Sequence, residues 1–265
     1  VTSSAGGGVG IRSGSITTFD GVNADADLFV DAGGTLNIDS GLTNNGMILV
    51  NNQNSSLNGV ITTDDDVTID GAGTIIFRTG FDNSFMTTTG AGRITLGSGQ
   101  FVTGAGELEG EFVNYGVISA DASATLGGGP MDLDVGPYVN NNLMTAESAS
   151  DLRIQDVLVT QDPAASLESN DGLVTFAAGS RIENGSLVSN GTGTFRTAAG
   201  GDRELSGVTI DGVLQIDLGG TVSVDSAGLV NNGLIEIHRN NSSLDAGLDL
   251  ADATVSGTGE IQLRT

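Results

Sequence analysis

Cysteine, lysine and tryptophan are all missing from the 265 residues, and histidine occurs once. Without Cys there is no disulfide framework and no thiol chemistry. Export remains open to such a chain if a large core or stacked repeats supply the stability. Without Lys, proton abstraction by an amine is closed, and every basic residue is an Arg. Only nine basic residues face 33 acidic ones, for a net charge of −24. A field of that sign repels phosphate backbones and excludes nucleic acid as a partner. With nine Phe and two Tyr, an aromatic platform for stacking bases or sugars is poorly supplied. Three Pro beside 42 Gly exclude collagen, which needs a strict three-residue period and far more proline. No apolar run approaches the roughly 20 residues of a membrane-spanning helix, so membrane insertion is not expected, and no stretch reads as a signal peptide.

What is present is repetition. Residues 41–57 read GLTNNGMILVNNQNSSL and residues 228–244 read GLVNNGLIEIHRNNSSL, an offset of 228 − 41 = 187 residues. Upstream, GGTLNIDS (33–40) meets GGTVSVDS (219–226); downstream, VTIDGAGTIIFRT (67–79) meets ATVSGTGEIQLRT (253–265). About 10–79 is thus echoed by about 200–265. Looser copies lie between, EFVNYGVISADASATL at 111–126 and YVNNNLMTAESASDL at 138–152. Such self-similarity fixes architecture before any other signal.

Between the echoes, runs of three to five residues such as SITTF (15–19), TLNID (35–39) and VTID (67–70) alternate with a period of two. That is a strand period, and no window carries a helical period with cap and stop. The nearest candidate, AESASDLRIQDVLV (146–159), is read as strand. A second refrain, Gly-x-Gly before a brief strand, recurs at 71, 90, 104, 191 and 257. Glycine permits the sharp corner and close stacking there, and no βαβ unit follows to support a dinucleotide site. The turn positions of the main refrain are Asn44, Asn45 and Gly46, Asn114 and Gly116, and Asn231, Asn232 and Gly233. Asn accepts left-handed backbone there, and like side chains are expected to bond from rung to rung as ladders.

Short strands, frequent corners and block repetition predict a parallel β-solenoid. A β-sandwich would share the short strands but not the 187-residue echo. At ~22 residues a coil the chain makes about a dozen coils around one continuous Val/Ile/Leu core. The whole chain, 1–265, is expected to form a single domain.

The phrases VNNGLIEI and VSGTGEIQL resemble the β-helical passenger regions of bacterial autotransporters and related filamentous-haemagglutinin-type surface adhesins. The resemblance implies a right-handed parallel β-helix, export to the bacterial cell surface, and roles in adhesion, biofilm or appendage building. Nothing in the chain has the long alternating strands and aromatic girdles of a translocator barrel, so it implies the passenger portion at most.

Few residues stand out as sites. Asp64, Asp65 and Asp66 form the densest acidic run and are the candidate calcium loop, with Asp25/Asp27 and Asp132/Asp134 as weaker copies. Glu107, Glu109 and Glu111 alternate, which would place three carboxylates on one strand face and could raise a pKa. His238 is expected to be an exposed rung residue; its counterpart in the first copy is Asn51, and no nucleophile elbow accompanies it. No cofactor is expected beyond calcium at the Asp run. The second copy stops at Arg264–Thr265 without a polar or helical cap, so either the chain continues or an open rung stacks on the next subunit. Head-to-tail stacking is heterologous and builds an open filament. The expected function is therefore non-enzymatic: an extracellular structural or adhesive β-helix, whose partners are further copies of itself or a host or matrix surface. The alternative is a β-helical polysaccharide lyase or hydrolase, or a tailspike-like depolymerase. It would need paired carboxylates, or calcium-binding acids with a basic residue, in a groove along the coils.

Overall fold

The computed structural model describes residues 8–52, 56–78, 83–125, 128–238 and 244–264. Among them the chain is all-β, with one 3-10 turn at Ala122–Ala124 as its only helical element. The strands form a β-solenoid of parallel stacked coils, divided into two compact units, Val1–Gly136 and Pro137–Thr265. The stretch 146–159 contains the strands Asp151–Gln155 and the start of Leu158–Gln161, as its alternation predicts.

In the first unit each coil contributes one strand to each of three parallel sheets. The third sheet holds Val22–Ala24, Leu42–Asn44, Val67–Asp70, Arg93–Leu96 and Glu111–Asn114, which makes five coils. The period-two pattern points alternate residues inward, where they stack in columns. Leu28, Ile48, Ile75, Val102 and Ile118 form one column on the first sheet. Leu36, Ile61, Met86, Leu108 and Leu133 form one on the second. All ten side chains are fully buried; burial of each stabilises the fold by about 1.5–3 kcal/mol.

The second unit repeats the plan with six coils, counted on its third sheet from Tyr138–Asn140 to Gly247–Asp249. Its columns include Tyr138, Val159, Ile182 and Leu205, and Leu152, Val174, Phe195, Leu214 and Ile235. Phe176 and Phe195 stack with ring centroids 5.9 Å apart. Five and six coils make about eleven turns, in line with the expected dozen or so, and their lengths are unequal. Met47 and Thr74 are in register at a spacing of 74 − 47 = 27 residues, but Phe101 and Val117 at 117 − 101 = 16.

The refrains mark corners rather than coils. In the first unit, Asn44–Gly46, 71–73 and 114–116 all lead from the third sheet to the first. Gly90–Gly92 leads from the second to the third, and Gly104–Gly106 lies inside strand Phe101–Glu109, where it crosses from the first sheet to the second. In the second unit, Asn140–Asn142 leads from the third sheet to the first, whereas Asn231–Gly233 leads from the first to the second. One short phrase therefore serves different corners, so an echo in sequence does not imply the same face in space.

The two Asn of each pair play different parts. Asn44 and Asn231 point inward and are buried, while Asn45 and Asn232 lie outside. Asn45 Nδ2 donates to Asp25 Oδ1 and Asn232 Nδ2 to Asp211 Oδ1, both at 2.8 Å, which ties each corner to the coil before it. The expected ladders take a mixed form. Asn140 Nδ2 donates to Gln161 Oε1 at 3.3 Å, its register partner one coil on. Asn44 is in register with Ala24 and instead donates to Gln100 Oε1 at 3.1 Å; Gln100 Nε2 returns bonds to the Asn44 and Asp70 carbonyls. Asn231 stacks on Ile210 and donates to the Glu260 carbonyl. Corners close with whatever acceptor a following coil supplies, because a buried amide needs a partner but not an identical one. Asn114, also buried, is in register with Leu96.

Candidate functional site

In the second unit, the second sheet consists of Asp151–Gln155, Leu173–Phe176, Thr194–Thr197, Val213–Ile216, Leu234–His238 and Glu260–Arg264. Its inward residues belong to the core. Its outward residues line a groove of about 790 Å³, walled by turn residues that include Ala198, Ala199 and Leu218. Groove and columns run the same way: Arg153, Thr175 and Arg196 are in register on successive coils, as are Gln215 and Glu236 beyond them.

Three carboxylates organise this face. Asp151 accepts from Arg153 Nε at 2.9 Å and from Thr175 Oγ1 at 2.8 Å. Asp217 pairs with Arg196, and its backbone N–H donates to Thr197 Oγ1 at 2.9 Å. Glu236 accepts from Gln215 Nε2 and Arg264 Nε, both at 3.0 Å, and lies 3.7 Å from His238 Nε2. Burial works against the Glu236 charge, but the bonds from Arg264 and Gln215 and the charges of Arg264 and His238 outweigh it, holding the carboxyl below its usual range. In each pair the acid is the more covered partner: Asp151, Asp217 and Glu236 are 24%, 20% and 8% exposed, against 44%, 52% and 54% for Arg153, Arg196 and Arg264. The groove thus presents guanidinium groups paired with carboxylates, Asp151 and Asp217 beside them in the lining and Glu236 behind Arg264. In a chain of net charge −24 this gathers three of the nine basic residues and the single histidine.

Of the residues singled out from sequence, only His238 belongs to this groove. Arg153, Arg196, Asp151 and Asp217 were missed because coils of unequal length hide which distant residues share a column. Asp64, Asp65 and Asp66 occupy a turn of the first unit, and their side chains do not converge. Asp64 accepts from Thr89 Oγ1, and Asp66 pairs with Arg93 at 2.9 Å. Among the described residues no three His, Cys, Asp or Glu side chains gather as a metal-ligand set. Asp25 and Asp27 accept from Asn45 and from the Met47 N–H.

The acidic alternation 107–111 divides. Glu107 and Glu109 point outward from strand Phe101–Glu109, in register with Asp132 and Asp134 of Met131–Asp134. The chain turns at Gly110, so Glu111 belongs to the third sheet, 3.6 Å from Arg93. The expected trio on one face is therefore a pair, joined by two aspartates from the next coil. Burial, the charge and hydrogen bond of Glu109, and the charges of Asp134 and Asp132 push the Glu107 carboxyl up to about 8.

This makes the first unit's stability depend on pH. Between the unfolded value of 4.5 and the folded value of about 8, the folded chain binds the extra proton, so stability falls as pH rises through that window. Glu107→Gln should abolish the loss. Melting followed by circular dichroism should show the variant more stable above pH 8 by about 1–2 kcal/mol after allowing for solvent screening, and no more stable than the parent below pH 4.5. A gap that is constant with pH would contradict the assignment.

Comparison of the chain with protein-family models, with curated proteins and with solved structures finds no match in any of the three.

Proposed function

We propose that the chain is a non-enzymatic structural and adhesive β-solenoid that works outside the cell. The observation that carries this reading is the pairing of charges in the groove. Each carboxylate there is paired with a guanidinium; Thr175 also donates to Asp151 and Gln215 to Glu236, while the main chain of Asp217 is tied to Thr197. Groups fixed in this way recognise and hold, whereas proton transfer needs a group poised to change state near working pH. A cysteine-free, acidic chain suits an exposed setting, where its charge keeps copies from collapsing onto one another. Beads coated with the purified protein should stick to cell or matrix surfaces more than uncoated beads, with no sugar ends released from polysaccharides. Unchanged retention together with released sugar would overturn the reading.

Self-association belongs to the same proposal. Strand Glu260–Arg264 stacks in register on Leu234–His238, yet Ile261 and Leu263 are 43% and 74% exposed above the buried Ile235 and Ile237. A parallel rung with this alternation accepts a further strand of the same alternation, from a later coil of the same chain or from another copy. Sedimentation and electron microscopy should show association that grows with concentration; a strictly monomeric chain would remove this part of the proposal.

One observation favours the second reading, a polysaccharide-cleaving enzyme. Glu107 is a carboxyl raised to about 8 with a second carboxyl group, that of Glu109, beside it, and glycoside hydrolysis uses a raised carboxyl next to another. A reducing-sugar assay on the parent and Glu107→Gln separates the two readings, and release that the variant loses would favour the enzyme.

A further inference from the structure

We propose that the groove on the second unit binds an uncharged, hydroxyl-rich polysaccharide chain laid along the coils. The inference rests on the adhesive reading and names its ligand. Three features of the groove select the chemistry.

The first is charge. The lining brings Arg153, Arg196 and Arg264 against Asp151 and Asp217, and Glu236 behind Arg264 makes the opposing charges equal. The surrounding chain is strongly acidic. A polyanion would meet that field and would have to displace the built-in carboxylates from their guanidinium partners. A neutral ligand meets neither obstacle.

The second feature is donor–acceptor geometry. A carboxylate only accepts hydrogen bonds and a guanidinium only donates them. An Asp–Arg pair side by side therefore complements neighbouring hydroxyls, each of which can donate to one partner and accept from the other. Asp151 with Arg153 and Asp217 with Arg196 each provide such a pair. Arg196 lines the groove at 52% exposure and bonds Asp217 through Nε, so among the described residues its terminal nitrogens are not engaged by that carboxylate. The pairing also holds each guanidinium in place before the ligand arrives, so little ordering is lost on binding.

The third feature is repetition. Arg153 and Arg196 share one column two coils apart, which at ~4.8 Å a rung spaces them by about 9.6 Å. The groove runs along the coils for about 24 Å from Asp151 to Arg264 at the same rise, lined by residues of five of the six strands and by Asp217 and Leu218, which follow the sixth. Leu173, Ala177 and Leu218 offer apolar contact to the C–H faces of sugar rings. With no Phe, Tyr or Trp among the described lining residues each contact is modest, so a long chain that makes several at once binds far better than a single sugar.

The test is affinity electrophoresis of the full chain through gels carrying dextran, soluble β-glucan or galactomannan, with polygalacturonate and heparin as the polyanions. Retardation is expected in at least one neutral gel, largely insensitive to salt, and Arg196→Gln should weaken it about tenfold. Arg93→Gln, which breaks the surface pairs to Asp66 and Glu111 in the other unit, is the control and should bind as the parent does. Retardation only by polyanions, no retardation in any neutral gel, or binding that Arg196→Gln leaves intact would each overturn the proposal. The bead assay keeps its failure distinct from that of the adhesive reading. Adhesion that persists in Arg196→Gln refutes the glycan groove alone, whereas glycan binding without adhesion refutes the adhesive reading alone.

Discussion

Arg203→Met should lower the stability of the Pro137–Thr265 unit by about 3 kcal/mol or more, although methionine fills similar space and removes a buried charge. Arg203 is 3% exposed and points inward from strand Asp202–Ser206, in register with Val222. Its guanidinium donates to three main-chain carbonyls: from Nε to Phe176 at 3.0 Å, from one terminal nitrogen to Gly201 at 2.6 Å, and from the other to Ala198 at 2.7 Å. Burial lowers its pKa, opposed by the charge of Asp202, yet an arginine stays protonated. Replacing a buried ion pair with apolar groups is often harmless because both partners leave together. Here the acceptors are backbone and remain, each losing a donor at about 1–3 kcal/mol. Arg203→Lys, with one ammonium for three carbonyls, should fall between parent and Met variant. Because Ala198 lines the groove, Arg203→Met should also weaken retardation in neutral-polysaccharide gels beyond what partial unfolding accounts for. Urea melts with an unchanged slope would report the loss cleanly. A neutral or stabilising Arg203→Met would show that other donors reach the three carbonyls.

Arg203 also shows which parts of this fold are legible in sequence. In Asp202–Ser206 the period of two puts Leu205 in the core, and the same period puts Arg203 there. The pattern was available, but a charged residue is rarely fully buried, so composition argues against it. Strand, corner and stacking were legible because alternation and Gly/Asn corners are local signals. Register was not. Coil lengths vary with the turns between strands, and a change of even one residue alters which side chains share a column, so the placement of Arg153 under Arg196 leaves no trace at fixed spacing. Glu111 was assigned to the wrong face for a related reason: alternation holds within a strand and lapses where the chain turns. The Asn corners were legible as turns, but the same phrase at two different corners of the second unit means that the echo located corners without saying which sheet follows.

Gly104→Ala should be the most damaging single-methyl change in the Val1–Gly136 unit, with a loss of about 4 kcal/mol or a failure to fold. Gly104 is where strand Phe101–Glu109 bends from one sheet to the next, at φ +112°, and it lies in register on Phe77. A side chain there would overlap the Phe77 carbonyl oxygen, which belongs to the backbone of the coil beneath and cannot swing away. The strained φ alone costs an L-residue about 1–3 kcal/mol. The clash adds to it, because coils ~4.8 Å apart leave no room for a methyl pointing along the stack. Gly90 separates the two terms. It also has a positive φ, +71°, but an added methyl meets nothing within 4 Å. Gly90→Ala should therefore cost only about 1 kcal/mol, the backbone term by itself. Chemical denaturation of both variants measures the difference. Equal losses would mean that the corner yields and that close stacking is not what Gly104 provides. Unequal losses of the expected size would show that glycine serves this solenoid in two ways: Gly90 only lets the chain turn, while Gly104 also lets one coil lie directly on the next.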